Sequence, residues 1–372
     1  MRNQYIREME FFACNDLKGK TIGGWLVGDR IVNTDVTTKY ALFHNVSKDG
    51  RDAIMKVLNY DKCLNANYLD GAKDQNDLLA REAEAFHFET ELSKECAGNH
   101  MGNVIRYLDS GELKLDGYAV KNVAYIVYEV SDGKIGDFLK FSSNANFVAD
   151  LGILVDKLKS LHHVTKGVKQ LHTHLIAHHN LTPQSIEVFD TESLFKIGGL
   201  QKSRTRQALL NSPVAAKLFD GDYTYAPPEA FFGYKISEEM STYYQIDTYM
   251  LGNLIVYYLS SMNLTTLINQ KCPCKLIEWA SKGAEYQQVL PDIRKAFYEA
   301  LDEINVSICA KELRGPIVEI IEGLCNPAPD ERGYPRRNGK VKANADLQRV
   351  LSRLDVLYRK AQLILYRNNK KM

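Results

Sequence analysis

A chain of 372 residues, 45% of them hydrophobic and 25% charged, can bury one substantial two-lobed core or two ordinary domains, so a globular protein is expected. Its 47 basic and 46 acidic side chains nearly cancel, which excludes a global field drawing it to nucleic acid or an anionic membrane; either partner would need a local patch. Seven cysteines, at 14, 63, 96, 272, 274, 309 and 325, form an odd, scattered set that fits reduced thiols rather than a disulfide framework. Cys272-Pro273-Cys274 stands without the second pair or histidine cluster that zinc needs.

Met1-Arg2-Asn3-Gln4-Tyr5 lacks the apolar core of a signal peptide. The longest apolar stretch, 249–262, is interrupted by Gly252 and Asn253 and is too short to span a bilayer, so a cytoplasmic protein with no membrane partner is expected. In chain order, β-type runs predict strands over 25–33, 39–46, 52–58, 103–108 and 122–129, with a helix over 77–92 inserted among them. From about Gly136 the periodicity becomes helical, apart from a β-type interruption at 185–197. Near the end, Leu347, Val350 or Leu351, Leu354, Leu357 or Tyr358, Ala361 and Ile364 recur at alternating three and four spacing, which predicts one long helix over 343–365 with a single apolar seam. That seam either packs back on the chain's own larger lobe or serves a partner or a dimer; the basic tail beyond it reads as a solvated end.

The most informative stretch is Ala177-His178-His179-Asn180-Leu181-Thr182-Pro183-Gln184-Ser185. It resembles the catalytic loop of a protein kinase, H-R-D-L-K-P-x-N, in which Asp takes the substrate hydroxyl proton, Lys supports the phosphoryl group and Asn holds magnesium. The corresponding residues here are Asn180, Thr182 and Ser185. A carboxamide is not basic near neutral pH, a threonine hydroxyl has no positive charge, and serine is a poor substitute for a metal-directed carboxamide oxygen. His178, Leu181 and Pro183, which shape the loop, are kept.

The resemblance extends in order along about 22–337. In register with the kinase phosphate loop stand Val32-Asn33-Thr34-Asp35-Val36-Thr37, without a glycine and with Asp35 facing the phosphates. Ala53-Ile54-Met55-Lys56 matches V-A-I-K, which implies that Lys56 meets the nucleotide phosphates and that Glu82 is its helix partner. The plain alternative is an ordinary strand lysine and a solvated glutamate. Tyr128 falls at the gatekeeper position, and Glu129 and Val130 begin the hinge that would flank an adenine ring.

Past the loop, Ile197-Gly198-Gly199-Leu200 stands in register with D-F-G, so Gly199 replaces the second magnesium ligand. Phe219-Asp220-Gly221-Asp222 lies too close to the next motif to be a displaced metal site. Tyr225-Ala226-Pro227-Pro228-Glu229 resembles A-P-E, Asp247 begins the central helix motif, and Arg332 ends the segment whose arginine pairs with the A-P-E glutamate. The resemblance implies a Glu229–Arg332 pair and an Asp247 that ties down the catalytic-loop backbone. Ser203, Thr205, Ser212, Tyr223 and Thr224 occupy the activation-loop position, where His179 replaces the arginine that would receive a phosphate.

The expected fold is therefore α+β and bilobal, with a small β-rich N-lobe carrying one helix and a larger helical C-lobe. The expected divisions are an N-terminal extension over 1–21, an N-lobe over 22–130, a C-lobe over 131–337, and a C-terminal helix with a basic tail over 338–372. The resemblance implies a pseudokinase, with no metal and no required cofactor. It would act as a scaffold or allosteric regulator on a protein partner such as an active kinase or its substrate. Two alternatives stay open: an unconventional nucleotide-dependent transferase, which convergence of Asp35, Glu187 or Asp190 on a metal would favour, and a switch that binds ATP without metal or turnover.

Overall fold

Asp49 and Gly50 both take positive φ, 52° and 75°, the backbone of a two-residue turn whose twist matches that of its flanking strands. In the computed structural model this turn joins two of the longest strands. The structure describes residues 11–31, 39–69, 71–139, 147–206, 218–236, 240–333 and 346–370. The chain divides into two units, Met1–Ser131 and Asp132–Met372.

The first unit is built on a six-stranded antiparallel sheet. Its strands are β1 (Thr21–Ile22), β2 (Trp25–Ile31), β3 (Ala41–Lys48), β4 (Arg51–Leu58), β5 (Tyr107–Lys114) and β6 (Asn122–Glu129), in the order β1-β2-β3-β4-β6-β5. A short helix α1 (Tyr60–Leu64) and a long helix α2 (Gln75–Gly98) come between β4 and β5. Asp74 caps α2 by accepting the Asp77 N–H at 2.8 Å, and the buried stripe continues to Cys96, so the helix outruns the expected 77–92. The strand expected at 103–108 instead starts at Tyr107 and runs to Lys114. Phe12, Ala13, Cys14 and Leu17, expected to belong to an extension, are buried in this unit's core with Ile22 and Trp25. Phe12 also bridges in parallel to Val120.

The second unit carries a three-stranded antiparallel sheet of β7 (Gly133–Lys134), β9 (Ile186–Phe189) and β10 (Leu194–Ile197), and a two-stranded one of β8 (Ile176–Ala177) with β11 (Arg204–Thr205). Its described helices are α3 (Ile135–Phe138), α4 (Phe147–Thr173), α5 (Met240–Ser260), α6 (Leu264–Lys271), α7 (Leu276–Ser281), α8 (Tyr286–Ser307), α9 (Lys311–Leu324) and α10 (Gln348–Asn369). Helix α5 is buried on almost every side, which explains why apolar residues stand all around it rather than on one stripe. Gly252 lets the end of α9 approach it. A Cβ there would lie 2.3 Å from Cys325 Sγ and 2.9 Å from Leu324 Cβ.

The seam of α10 is buried at Val350, Leu354, Leu357 and Ala361, in the same core as Leu154, Leu158 and Leu161 of α4. Of the two uses read from its spacing, packing on its own chain is the one observed, so the seam is not open to a dimer partner. Among the described residues, no helix is long and apolar enough to cross a membrane.

Candidate functional site

In the first unit, β4 turns Lys56 inward, opposite Phe43 of β3 and Ile126 of β6. Its ammonium lies 2.5 Å from Glu89 Oε2, and each residue is 3% exposed. The expected partner, Glu82, is therefore corrected to Glu89. Glu82 lies two helical turns earlier on the same stripe, half-buried beside Cys63. Burial, and then the Glu82 charge, push the Cys63 thiol up to about 12.

The second oxygen of Glu89 accepts a hydrogen bond from the Tyr128 hydroxyl at 3.2 Å, and that hydroxyl lies 3.1 Å from Ser93 Oγ. Burial and the Glu89 carboxylate hold the Tyr128 phenol well above its ordinary value, so it stays protonated as a donor. Lys56, Glu89, Tyr128 and Ser93 thus form one buried polar network. Glu129 turns its carboxylate to the Arg106 N–H at 2.7 Å, and Val130 is exposed. Asp35, with the rest of 32–37, lies outside the described residues.

In the second unit, Asp247 on α5 is fully buried and receives the backbone N–H groups of His178 and His179, both at 2.7 Å. His172 Nε2 lies 2.8 Å from the same carboxylate. Burial alone would raise the Asp247 carboxyl, but the His172 hydrogen bond and charge, with His178 and the His179 amide, hold it below the usual range. The His178 ring lies 2.9 Å from the Gly198 carbonyl through Nε2 and accepts the Asn180 N–H at Nδ1, 3.3 Å away, which fixes one neutral tautomer. Two strong anchors, one carboxylate and one imidazole, therefore set the path of this loop.

His179 takes φ +64° and buries its ring between Phe219 and Tyr243, with centroids at 5.2 and 5.4 Å. Among the described residues neither ring nitrogen has a hydrogen-bond partner. Burial, and then Arg204, push its pKa down to about 3, so the ring is neutral near pH 7.

Asn180, Thr182, Ser185 and Gly199 are brought together by this loop and the turn after β10. Asn180 is 3% exposed, and its Oδ1 accepts the Asp222 N–H at 3.1 Å. Ser185 Oγ donates to the Thr182 carbonyl at 2.8 Å and accepts the Thr182 N–H at 3.1 Å, closing the turn at Pro183–Ser185. Gly199 adopts φ +72°, with its missing side chain facing Ser185 at 3.8 Å. The Ser185 hydroxyl thus serves the loop's own turn, and the Asn180 carboxamide ties the loop to Asp222.

The segment 219–222 lies directly on the loop. A Cβ at Gly221 would meet the His179 carbonyl at 2.6 Å and Asn180 Oδ1 at 3.0 Å, so glycine is required for this approach. The carboxylates nearby are engaged elsewhere: Asp220 pairs with Lys202 at 2.8 Å, and Asp222 accepts from the Thr224 N–H and Oγ1 at 2.9 and 2.7 Å. Glu187 pairs with Lys134, while the Asp190 N–H donates to Asp132 at 2.7 Å. Among the described residues no group of three or more His, Cys, Asp or Glu side chains is placed to hold a metal ion.

Farther along, Arg332 grips Glu229 through two hydrogen bonds of 2.7 and 2.9 Å, and also donates to the Gln245 and Asn326 carbonyls, each at 3.0 Å. The guanidinium is fully buried, so the bidentate pair is held without competition from solvent. Sequence reasoning missed Glu89, the Tyr128 hydroxyl, and the contact of Asp222 with Asn180. Gly221 between two aspartates was the available signal for that contact. No protein-family model and no curated protein matches this chain.

Proposed function

We propose that this chain is a degenerate, catalytically inactive member of the protein kinase superfamily. In this reading it works in the cytoplasm as a scaffold or allosteric regulator on a protein partner, such as an active kinase or its substrate. One observation carries the reading. Asp247 holds the backbone of His178 and His179 as the resemblance requires, while the carboxamide of Asn180, at the base position, accepts the Asp222 N–H. The scaffold of the loop is kept, and the atom that would take a proton is neither basic nor turned to solvent. Thr182, Ser185 and Gly199 offer neither the charge nor the ligand atoms that stabilise a phosphoryl group in transfer.

The buried Lys56–Glu89 pair favours a second reading, in which nucleotide binds without turnover and only stabilises one conformation. Thermal unfolding with ATP, with and without magnesium or manganese, separates the readings. No shift supports the scaffold alone, and a metal-independent shift supports the switch. A metal-dependent shift that disappears in Lys56→Met would overturn both in favour of an unconventional transferase.

A further inference from the structure

Helix α10 has two working faces, and only one of them is buried against its own chain. Its outward side carries Val356, Leu363 and Tyr366, which are 53%, 56% and 57% exposed. At 100° per residue these three fall within one arc with Arg359, Arg367 and Lys370. The helix holds five basic residues against one acidic, Asp355, which pairs with Arg359 at 3.0 Å.

Helix α8, in the same unit, presents the opposite. Tyr298 and Val306 are 47% and 66% exposed, and Asp292, Glu299 and Asp302 share their arc. This helix holds four acidic residues against two basic; Arg294 is bound to Glu331 at 2.8 Å, and the exposed Lys295 lies within the arc, leaving the face net acidic. Glu303, at the edge of the face, pairs with Lys271 at 2.8 Å. Each helix thus shows a short apolar strip bordered by charge that is net of one sign, basic on α10 despite Asp355 and acidic on α8 despite Lys295, and the two net signs are opposite. The near-zero net charge of the chain makes both faces local features.

We propose that copies of this chain associate through these faces, α10 of one copy against α8 of another. Apposition of α10 with α10 would bring like charges together, and so would α8 with α8. The mixed contact covers both apolar strips while pairing their opposite net charges. The proposal does not depend on the proposed function, since neither face includes a residue of the candidate site.

Sedimentation velocity of the full chain over a range of concentrations, at low and high ionic strength, tests it. The expected result is a concentration-dependent rise in mass above the monomer at low salt and its loss at high salt. Two reversed variants sharpen the test: Arg359→Glu with Arg367→Glu on α10, and Glu299→Lys with Asp302→Lys on α8. Each alone is expected to stay monomeric while still unfolding cooperatively, and an equimolar mixture is expected to associate again, because each reversed face then meets its complement. A wild-type monomer at every concentration would overturn the proposal. So would association that survives in either variant alone, or a mixture of folded variants that stays monomeric.

Discussion

Lys56 Nζ lies 2.5 Å from Glu89 Oε2, and both side chains are withdrawn from solvent. A charge pair this buried contributes little over an apolar replacement of both partners, but losing one partner strands the other. Glu89→Gln is therefore expected to destabilise the first unit by about 3 kcal/mol. Glu82→Gln, at the half-buried position two turns away, is expected to cost below about 1 kcal/mol. Urea unfolding of the two variants makes the comparison, and the double variant Lys56→Met with Glu89→Leu is expected to recover much of the loss.

His179 supplies a pH dependence. Its pKa falls from 6.5 to about 3 on folding, so below pH 6.5 the unfolded chain binds a proton that the folded chain refuses. Stability therefore decreases as pH falls from about 6.5 toward 3, and it is fully present above that window. His179→Phe keeps an aromatic ring between Phe219 and Tyr243 and removes the titration. The slope of unfolding free energy against pH between about 6 and 4 is expected to shrink by about one proton in that variant. An unchanged slope would show that the ring is not held neutral.

Gly252 is expected to tolerate no side chain. Gly252→Ala places a Cβ 2.3 Å from Cys325 Sγ and 2.9 Å from Leu324 Cβ, so α5 and the end of α9 must separate. A loss of about 1–3 kcal/mol is expected, with part of it restored by Cys325→Ala, which removes the nearer atom. Thermal unfolding of the single and double variants measures both.

Arg332→Met leaves the Glu229 carboxylate buried without its two hydrogen bonds. A loss of about 3–5 kcal/mol is expected, large enough to unfold the second unit at ordinary temperatures. Limited proteolysis at 25 °C checks it, with Arg294→Met, at a half-exposed ion pair with Glu331, as the mild counterpart.

The alternation of the strands and the seam of α10 were legible because each follows from the periodicity of one element. The choice between Glu82 and Glu89 was not. Seven residues are two helical turns, so both glutamates project from the same stripe as Leu78 and Phe86, and only the position of β4 decides which one meets Lys56. Whether the α10 seam packs in its own chain was likewise hidden, because that depends on the complementary surface of α4, far away in sequence. The Glu229–Arg332 pair was legible only through the resemblance, since 103 residues separate its partners. The closure of 219–222 over Asn180 rests on a steric gap at Gly221, which has no periodic signature at all.

The proposed function requires that the loop around Asn180 moves no phosphoryl group. ATP turnover by the purified full chain, with magnesium and with manganese, tests it most directly, with Asn180→Leu and Lys56→Met, each confirmed as folded, as references. The expected result is turnover no higher than in either variant. Metal-dependent turnover in the wild-type chain that is lost in both variants would contradict the account and establish an enzyme.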